Sequence, residues 1–174
     1  MKDFTYNFVG KIDVSEYVNY LKLHNWEEWT YRQDTWEVHS QTKSVPIIAD
    51  ETYTNKSKKS KYYKYYKNLL SEINPIFKKY YGNGEIIRIE LVNLPAGSEV
   101  KNHKDTGESL IKDKRVHLVL ETNNDVMFKV DDVDKNMKVG EMWEINNNKY
   151  HSVKNDGKTD RFHLIIDYKI TNII

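Results

Sequence analysis

Apolar residues change their spacing once along this chain, near Gly82-Asn83-Gly84. Ahead of that point they recur at helical intervals. Val14, Tyr17, Val18, Leu21 and Leu23 form one stripe behind Asp13-Val14-Ser15-Glu16, which reads as a capping box, so a short helix over 14–23 is predicted. Tyr62, Tyr66, Leu69, Leu70, Ile73, Ile76 and Phe77 form a second stripe with lysines on the opposite, solvated side, which predicts an amphipathic helix packed on a sheet. Asn74-Pro75 predicts a break or kink in that helix, because the residue before proline resists helical backbone. Between the stripes, the segment from Trp26 to Ile48 is mixed in polarity and holds Pro46, which predicts irregular chain or short edge strands.

From Ile86 the pattern alternates. Ile87, Ile89, Leu91 and Asn93 interleave with Arg88, Glu90 and Val92, and Pro95-Ala96-Gly97-Ser98 then turns the chain. Strands are predicted at Arg115–Glu121, Val126–Val130, Val139–Ile145, His151–Asn155 and Asp160–Ile170. Asn123-Asn124-Asp125 and Asn155-Asp156-Gly157 are hairpin turns, since these residues tolerate the positive φ of tight turns. Short strands behind a helical N-terminal part predict an α+β fold with a jelly-roll core. The expected organisation is one domain over 1–174, helical and irregular over 1–84 and jelly roll over 85–170.

Composition removes several alternatives. Lys and Arg total 27 against 26 for Asp and Glu, so no overall basic field selects nucleic acid. The run from Lys56 to Lys67 sets six Lys among Tyr residues, a pattern able to bind nucleic acid, but the helical stripe through it explains the lysines as a solvated face. The chain has no Cys, which excludes disulfides, thiolate metal sites and cysteine nucleophiles. No apolar run approaches membrane-spanning length, and the expectation is a soluble, cytoplasmic protein.

The candidate chemistry lies between His103 and Arg161. His103-x-Asp105 follows a predicted strand and turn, and His151 opens another strand that a jelly roll can bring to the same barrel mouth. Two His and one carboxylate are the ingredients of a facial triad, which binds Fe(II) and leaves further positions open. Arg161 shares a strand face with His163 and Ile165, and Arg115 shares one with His117 and Val119. A charged Arg facing a barrel interior costs several kcal/mol unless an anion pairs with it, so two such residues suggest a dianionic small molecule, and the spacing fits 2-oxoglutarate. His117 is expected to touch that cosubstrate, His163 is equally open to a core role, and His24 is expected at the surface. Arg32, Trp36 and His39 are candidates for a substrate wall, with Arg32 as a carboxylate anchor.

This series, His103-x-Asp105, Arg115-x-His117-Leu-x-Leu, His151 and then Arg161, resembles the aspartyl/asparaginyl β-hydroxylase branch of the 2-oxoglutarate and Fe(II)-dependent dioxygenases, near the bacterial proline hydroxylases. The resemblance covers roughly residues 85 to 168. It implies a double-stranded β-helix, cupin-like, with helices buttressing one sheet. It implies iron held by His103, Asp105 and His151, and 2-oxoglutarate held by Arg161 at its distal carboxylate and by Arg115 with His117 at its other end. The implied reaction consumes O2, yields succinate and CO2, and hydroxylates an amino acid, free or within a peptide or protein. Two rival readings remain: a nucleic-acid dealkylating dioxygenase, and a non-catalytic jelly-roll binding module.

Overall fold

The computed structural model describes residues 3–49, 57–106 and 108–171. In chain order the elements are β1 (Tyr6–Lys11), α1 (Ser15–Val18), α2 (Tyr31–Thr35), β2 (Lys43–Ala49), β3 (Lys58–Lys59), α3 (Tyr63–Tyr81), β4 (Gly84–Leu94), β5 (Glu99–His103), α4 (Glu108–Lys112), β6 (Lys114–Glu121), β7 (Val126–Val130), β8 (Val133–Lys135), β9 (Glu141–Ile145), β10 (His151–Asn155) and β11 (Arg161–Ile170). They form two antiparallel sheets, one ordered β1-β9-β6-β11-β4-β2-β3 and the other β5-β10-β7-β8. From β4 to β11 the chain crosses repeatedly between the sheets, which makes the core a double-stranded β-helix within an α+β fold.

Alternation along the strands of the larger sheet builds two separate cores. Its outer face carries Ile89, Leu91, Val116, Leu118, Leu164 and Ile166, which pack against Tyr66, Leu69, Leu70, Ile73 and Phe77 of α3. Its inner face meets the smaller sheet through Leu94, Val119 and Ile145, opposed by Val100, Val126, Phe128, Val130 and Val153. The polar residues singled out above occupy this inner face. Arg161 pairs with Leu94, His163 with Val92 and Val119, Ile165 with Glu90 and His117, and Asp167 with Arg88 and Arg115. One strand, β11, thus presents Arg161, His163, Ile165 and Asp167 to the space between the sheets.

The helical expectations need correction in detail. The helix over 14–23 is instead one turn, α1, followed by a 3-10 turn at Leu21–Leu23, although Val14, Tyr17 and Leu21 are buried as the stripe required. The capping box does not form: Val14 is the N-cap, without a side-chain cap, and Asp13 Oδ1 instead accepts from the Ser15 N–H at 2.9 Å, a turn ahead of the helix. Helix α3 passes through Pro75 without ending. The proline ring is exposed and the backbone partner it forgoes would be the carbonyl of Ser71, itself exposed, so water satisfies that group. The lysine run lies mostly ahead of this helix, with Lys58 and Lys59 in β3 and Lys64 and Lys67 on its exposed side; Lys56 falls outside the described residues. Pro46 sits in β2 opposite Glu90 of β4, at the register shift between Pro46 and Ile48, a bulge of the kind that accommodates proline in a sheet. His24 is buried, not at the surface, packed on Tyr62, Tyr66 and Trp26. Among the described residues no helix is long and apolar enough to cross a membrane.

Candidate metal centre and its surroundings

Strands β5 and β10 are antiparallel neighbours with His103 directly opposite His151. Their rings lie 4.3 Å apart between centroids, and Asp105 in the following loop completes the group. His103, Asp105 and His151 each offer one ligand atom, and these atoms fall within 4.8 Å of one another. The Nε2 atoms of both histidines are 3.8 Å from Asp105 Oδ1.

The backbone sets the protonation of both rings. His103 Nδ1 lies 2.8 Å from the Lys101 carbonyl and His151 Nδ1 lies 3.0 Å from the Lys149 carbonyl. A carbonyl only accepts, so each Nδ1 carries the proton and each Nε2 turns a lone pair toward Asp105. This is the tautomer that a metal-ligating imidazole needs, fixed by a hydrogen bond on its far side. Burial pulls His151 down to about 4, so near neutral pH it is uncharged and free to ligate. Two imidazole Nε2 atoms and a carboxylate oxygen are a donor set that fits Fe(II) or a similar divalent ion.

Asp105 is held through its other oxygen. Oδ2 accepts from Arg115 Nη1 at 2.7 Å and from Asn147 Nδ2 at 3.2 Å, while Oδ1 faces the histidines. Burial would raise this carboxyl, but Arg115, His151, the Asn147 hydrogen bond and His103 together outweigh it and hold Asp105 below the usual carboxylate range. Arg115 was expected to offer its charge to a dianion. It is already balanced: besides Asp105 it binds Asp167, Nε to Oδ1 at 2.9 Å and Nη2 to Oδ2 at 3.0 Å. Arg88 reaches the same Asp167 from the neighbouring strand at 2.7 Å. The sequence reading missed Arg88 and Asp167. The available signal was their shared inward parity with Glu90 and Arg161, but their partnership spans two strands far apart in the chain.

Arg161 is different. It is 2% exposed, forms no ion pair with a described residue, and donates one side-chain hydrogen bond, from Nη2 to His163 Nδ1 at 2.6 Å. Its Nε has no partner. Burial, with Arg32 nearby, pulls the guanidinium down to about 9, so it remains a cation at neutral pH. His163 and His117 stand beside it, their Nδ1 atoms 3.5 Å apart, and burial drives both rings toward the neutral form. A buried cation facing neutral rings is a site that calls for an anion. Arg161, His117, Phe128, His103 and His151 all border one narrow inner cavity.

A larger cleft of about 340 Å³ adjoins it from the outside, and Arg32, His39, His103, Asp105 and Arg115 border both. The three residues read as a substrate wall are placed here. Trp36 lines the outer cleft with Trp29 and Tyr31. His39 stacks edge-on to His103 at 5.1 Å between ring centroids, and burial, then Arg32, pull it down to about 2. Arg32 reaches both cavities, but its charge is matched by an ion pair with Glu90.

A double-stranded β-helix whose mouth gathers two imidazole nitrogens and a carboxylate defines a jelly-roll protein with a candidate mononuclear metal site. The chain belongs to the aspartyl/asparaginyl β-hydroxylase family, whose model matches residues 14–170, and is by that membership an oxidoreductase of the hydroxylase kind. Among curated proteins no sequence matches it. Solved structures share its fold at low identity. An oxidoreductase of the 2OG-Fe(II) oxygenase family from Burkholderia pseudomallei aligns with a TM-score of 0.62 at 16% identity, over 75% of this chain and 69% of that one. A prolyl-4-hydroxylase from Pseudomonas putida aligns with a TM-score of 0.56 at 12% identity, over 98% and 95% of the two chains. A non-haem monooxygenase, ThoJ in complex with nickel, aligns with a TM-score of 0.60 at 16% identity, over 95% and 74%.

Proposed function

We propose that this protein is an Fe(II)- and 2-oxoglutarate-dependent dioxygenase that hydroxylates an amino acid, free or as a residue of a peptide, with succinate and CO2 as co-products. The observation that carries the reading is the pairing of two features in one cavity. Lone pairs of His103 and His151 converge with Asp105 Oδ1, and a buried Arg161 lacking a carboxylate partner borders the same space. The family membership and the likeness to a 2OG-Fe(II) oxygenase and a prolyl-4-hydroxylase support it.

His103, Asp105 and His151 would hold the iron. Bound there, it supplies the activation of O2 that couples decarboxylation of 2-oxoglutarate to insertion of one oxygen atom into a substrate C–H bond. Arg161 would grip the distal carboxylate of the cosubstrate through its planar fork, and the neutral His117 and His163 would line its path without competing for the charge. Phe128, Val100 and Val153 keep that end dry. Arg115, with both faces of its charge matched, would act on the cosubstrate only through its hold on Asp105. Substrate would enter by the outer cleft, past Trp36, Arg32 and His39.

Nucleic acid is a poor fit for that cleft, and the lysines outside it are partly engaged: Lys61 pairs with Glu28 at 2.6 Å and Lys59 lies over the Tyr63 ring. The test is to mix the metal-free protein anaerobically with Fe(II) and 2-oxoglutarate, look for a visible metal-to-ligand band, then admit O2 with a panel of amino acids and peptides and measure succinate. Band formation and substrate-stimulated succinate are expected. A protein that gives neither is not this enzyme.

A further inference from the structure

Asp167 stands outside the motif that marks the metal centre, yet buried charges connect the two. It is 2% exposed on the inner face of β11 and uses both oxygens: Oδ1 accepts from Arg115 Nε at 2.9 Å, and Oδ2 from Arg115 Nη2 at 3.0 Å and Arg88 Nε at 2.7 Å. The nitrogen of Arg115 that remains, Nη1, donates to Asp105 Oδ2 at 2.7 Å. A guanidinium is a rigid plane, so fixing one edge of it on Asp167 also fixes where Nη1 points.

We infer that Asp167 is a positioning residue for the metal centre: through Arg115 it keeps Asp105 turned so that Oδ1 alone faces the metal while Oδ2 stays occupied as a hydrogen-bond acceptor. The inference rests on the metal centre proposed above and deepens it. The carboxylate is thereby held as a one-oxygen ligand, which preserves open positions for cosubstrate and oxygen.

A purely structural role explains the arrangement less well. Strands β4, β11 and β6 are already joined by backbone pairing at these very positions, Asp167 to Arg88 and Asp167 to Arg115. Buried ion pairs add little net stability over apolar residues of similar size. What apolar residues could not do is reach out of the sheet to a loop carboxylate and orient it. With Asp167 neutral, Arg115 would keep its charge but lose the brace along its other edge. It could then turn to span both oxygens of Asp105 and draw the carboxylate from the histidines.

The test is a titration of the metal-free protein with Co(II), followed by the visible d–d absorption of cobalt, whose position and intensity report coordination. Asp167→Asn should weaken Co(II) binding about tenfold or more and shift the band, the scale on which loss of a ligand's orienting partner acts. Arg88→Gln removes a charge from the same buried network but leaves Arg115 braced, so its affinity should stay within about twofold of the parent with an unshifted band. Asp167→Asn behaving like the parent, or Arg88→Gln matching its loss, overturns the inference. Should Asp167→Asn not fold, Arg115→Gln is measured in its place, with the same loss and shift expected and parental behaviour again overturning. A parent protein that fails to bind Co(II) would overturn the metal centre itself, a result distinct from either.

Discussion

A single hydrogen atom on each ligating ring decides what the metal centre can do. Because the Lys101 and Lys149 carbonyls accept from the Nδ1 atoms, both rings are held with Nε2 turned toward Asp105 before any metal arrives. His103→Ala removes one of three donors and should abolish stoichiometric Fe(II) or Co(II) binding in an anaerobic titration; retained binding would remove His103 from the centre. Arg161→Ala tests the anion end. Truncating one member of a buried charge pair costs about 2 kcal/mol or more, so the 2-oxoglutarate requirement should rise roughly thirtyfold or more while metal affinity is retained. An unchanged requirement would show that the cosubstrate binds elsewhere. At this scale the grouping was legible in the sequence, since His103-x-Asp105 and His151 were expected at one barrel mouth and the structure brings the three together. Asp167 was not, because an Asp among Leu164, Ile165, Ile166 and Tyr168 gives no sign of the arginine it meets 79 positions earlier.

Elements built from strong alternation and marked turns were readable, and those built from tertiary contact were not. β4, β6, β7, β10 and β11 fall close to where apolar alternation and the Asn-rich turns put them. β5 escaped because only Val100 of its five residues is buried, so it has no period to show. β1 escaped because a register shift between Phe8 and Gly10 interrupts its alternation. Predicted strand Val139–Ile145 starts two residues late, at Glu141, because Gly140 turns with φ +81° against the Ile12 carbonyl, where any side chain would collide. Helix α3 was visible as a stripe but its passage through Pro75 was not, since exposure of the affected turn decides that cost. The stripe and the metal centre lie on opposite faces of one sheet, which separates their energetics. Leu69→Ala should destabilise the fold by about 2–5 kcal/mol in urea unfolding through lost packing, with Co(II) affinity of the folded protein unchanged. A parallel loss of metal affinity would mean that the sheet does not insulate one face from the other.

Over the whole molecule, buried histidines make the fold sensitive to acid. His24, His39, His117, His151 and His163 all titrate below the ordinary histidine value of 6.5, chiefly through burial, His39 to about 2 and His151 to about 4. Below about pH 6.5 the unfolded chain therefore binds more protons than the native one, and stability falls with pH by up to about 1.4 kcal/mol per unit for each such ring. Asp105 and Asp167 add to this lower down, since both carboxyls titrate below 3.8 when folded and their stabilisation is lost as they protonate. The urea midpoint of the metal-free protein should hold steady from pH 8 to about 6.5 and drop steadily toward pH 5. A flat profile would contradict the burial of these rings. β11 draws the consequences together. Its four inward side chains stay inward only while the hairpin before it, pinned where Asn123 Nδ2 donates to the Thr159 carbonyl at 2.9 Å, keeps its length. One residue added to that hairpin would slide the strand by a half-period, trading Arg161, His163 and Asp167 for Phe162, Leu164 and Ile166 and driving three polar groups into the layer against α3. An insertion that shifts this register is therefore expected to strip the inner face of its charge, whereas a longer chain around the outer cleft leaves β11 as it is.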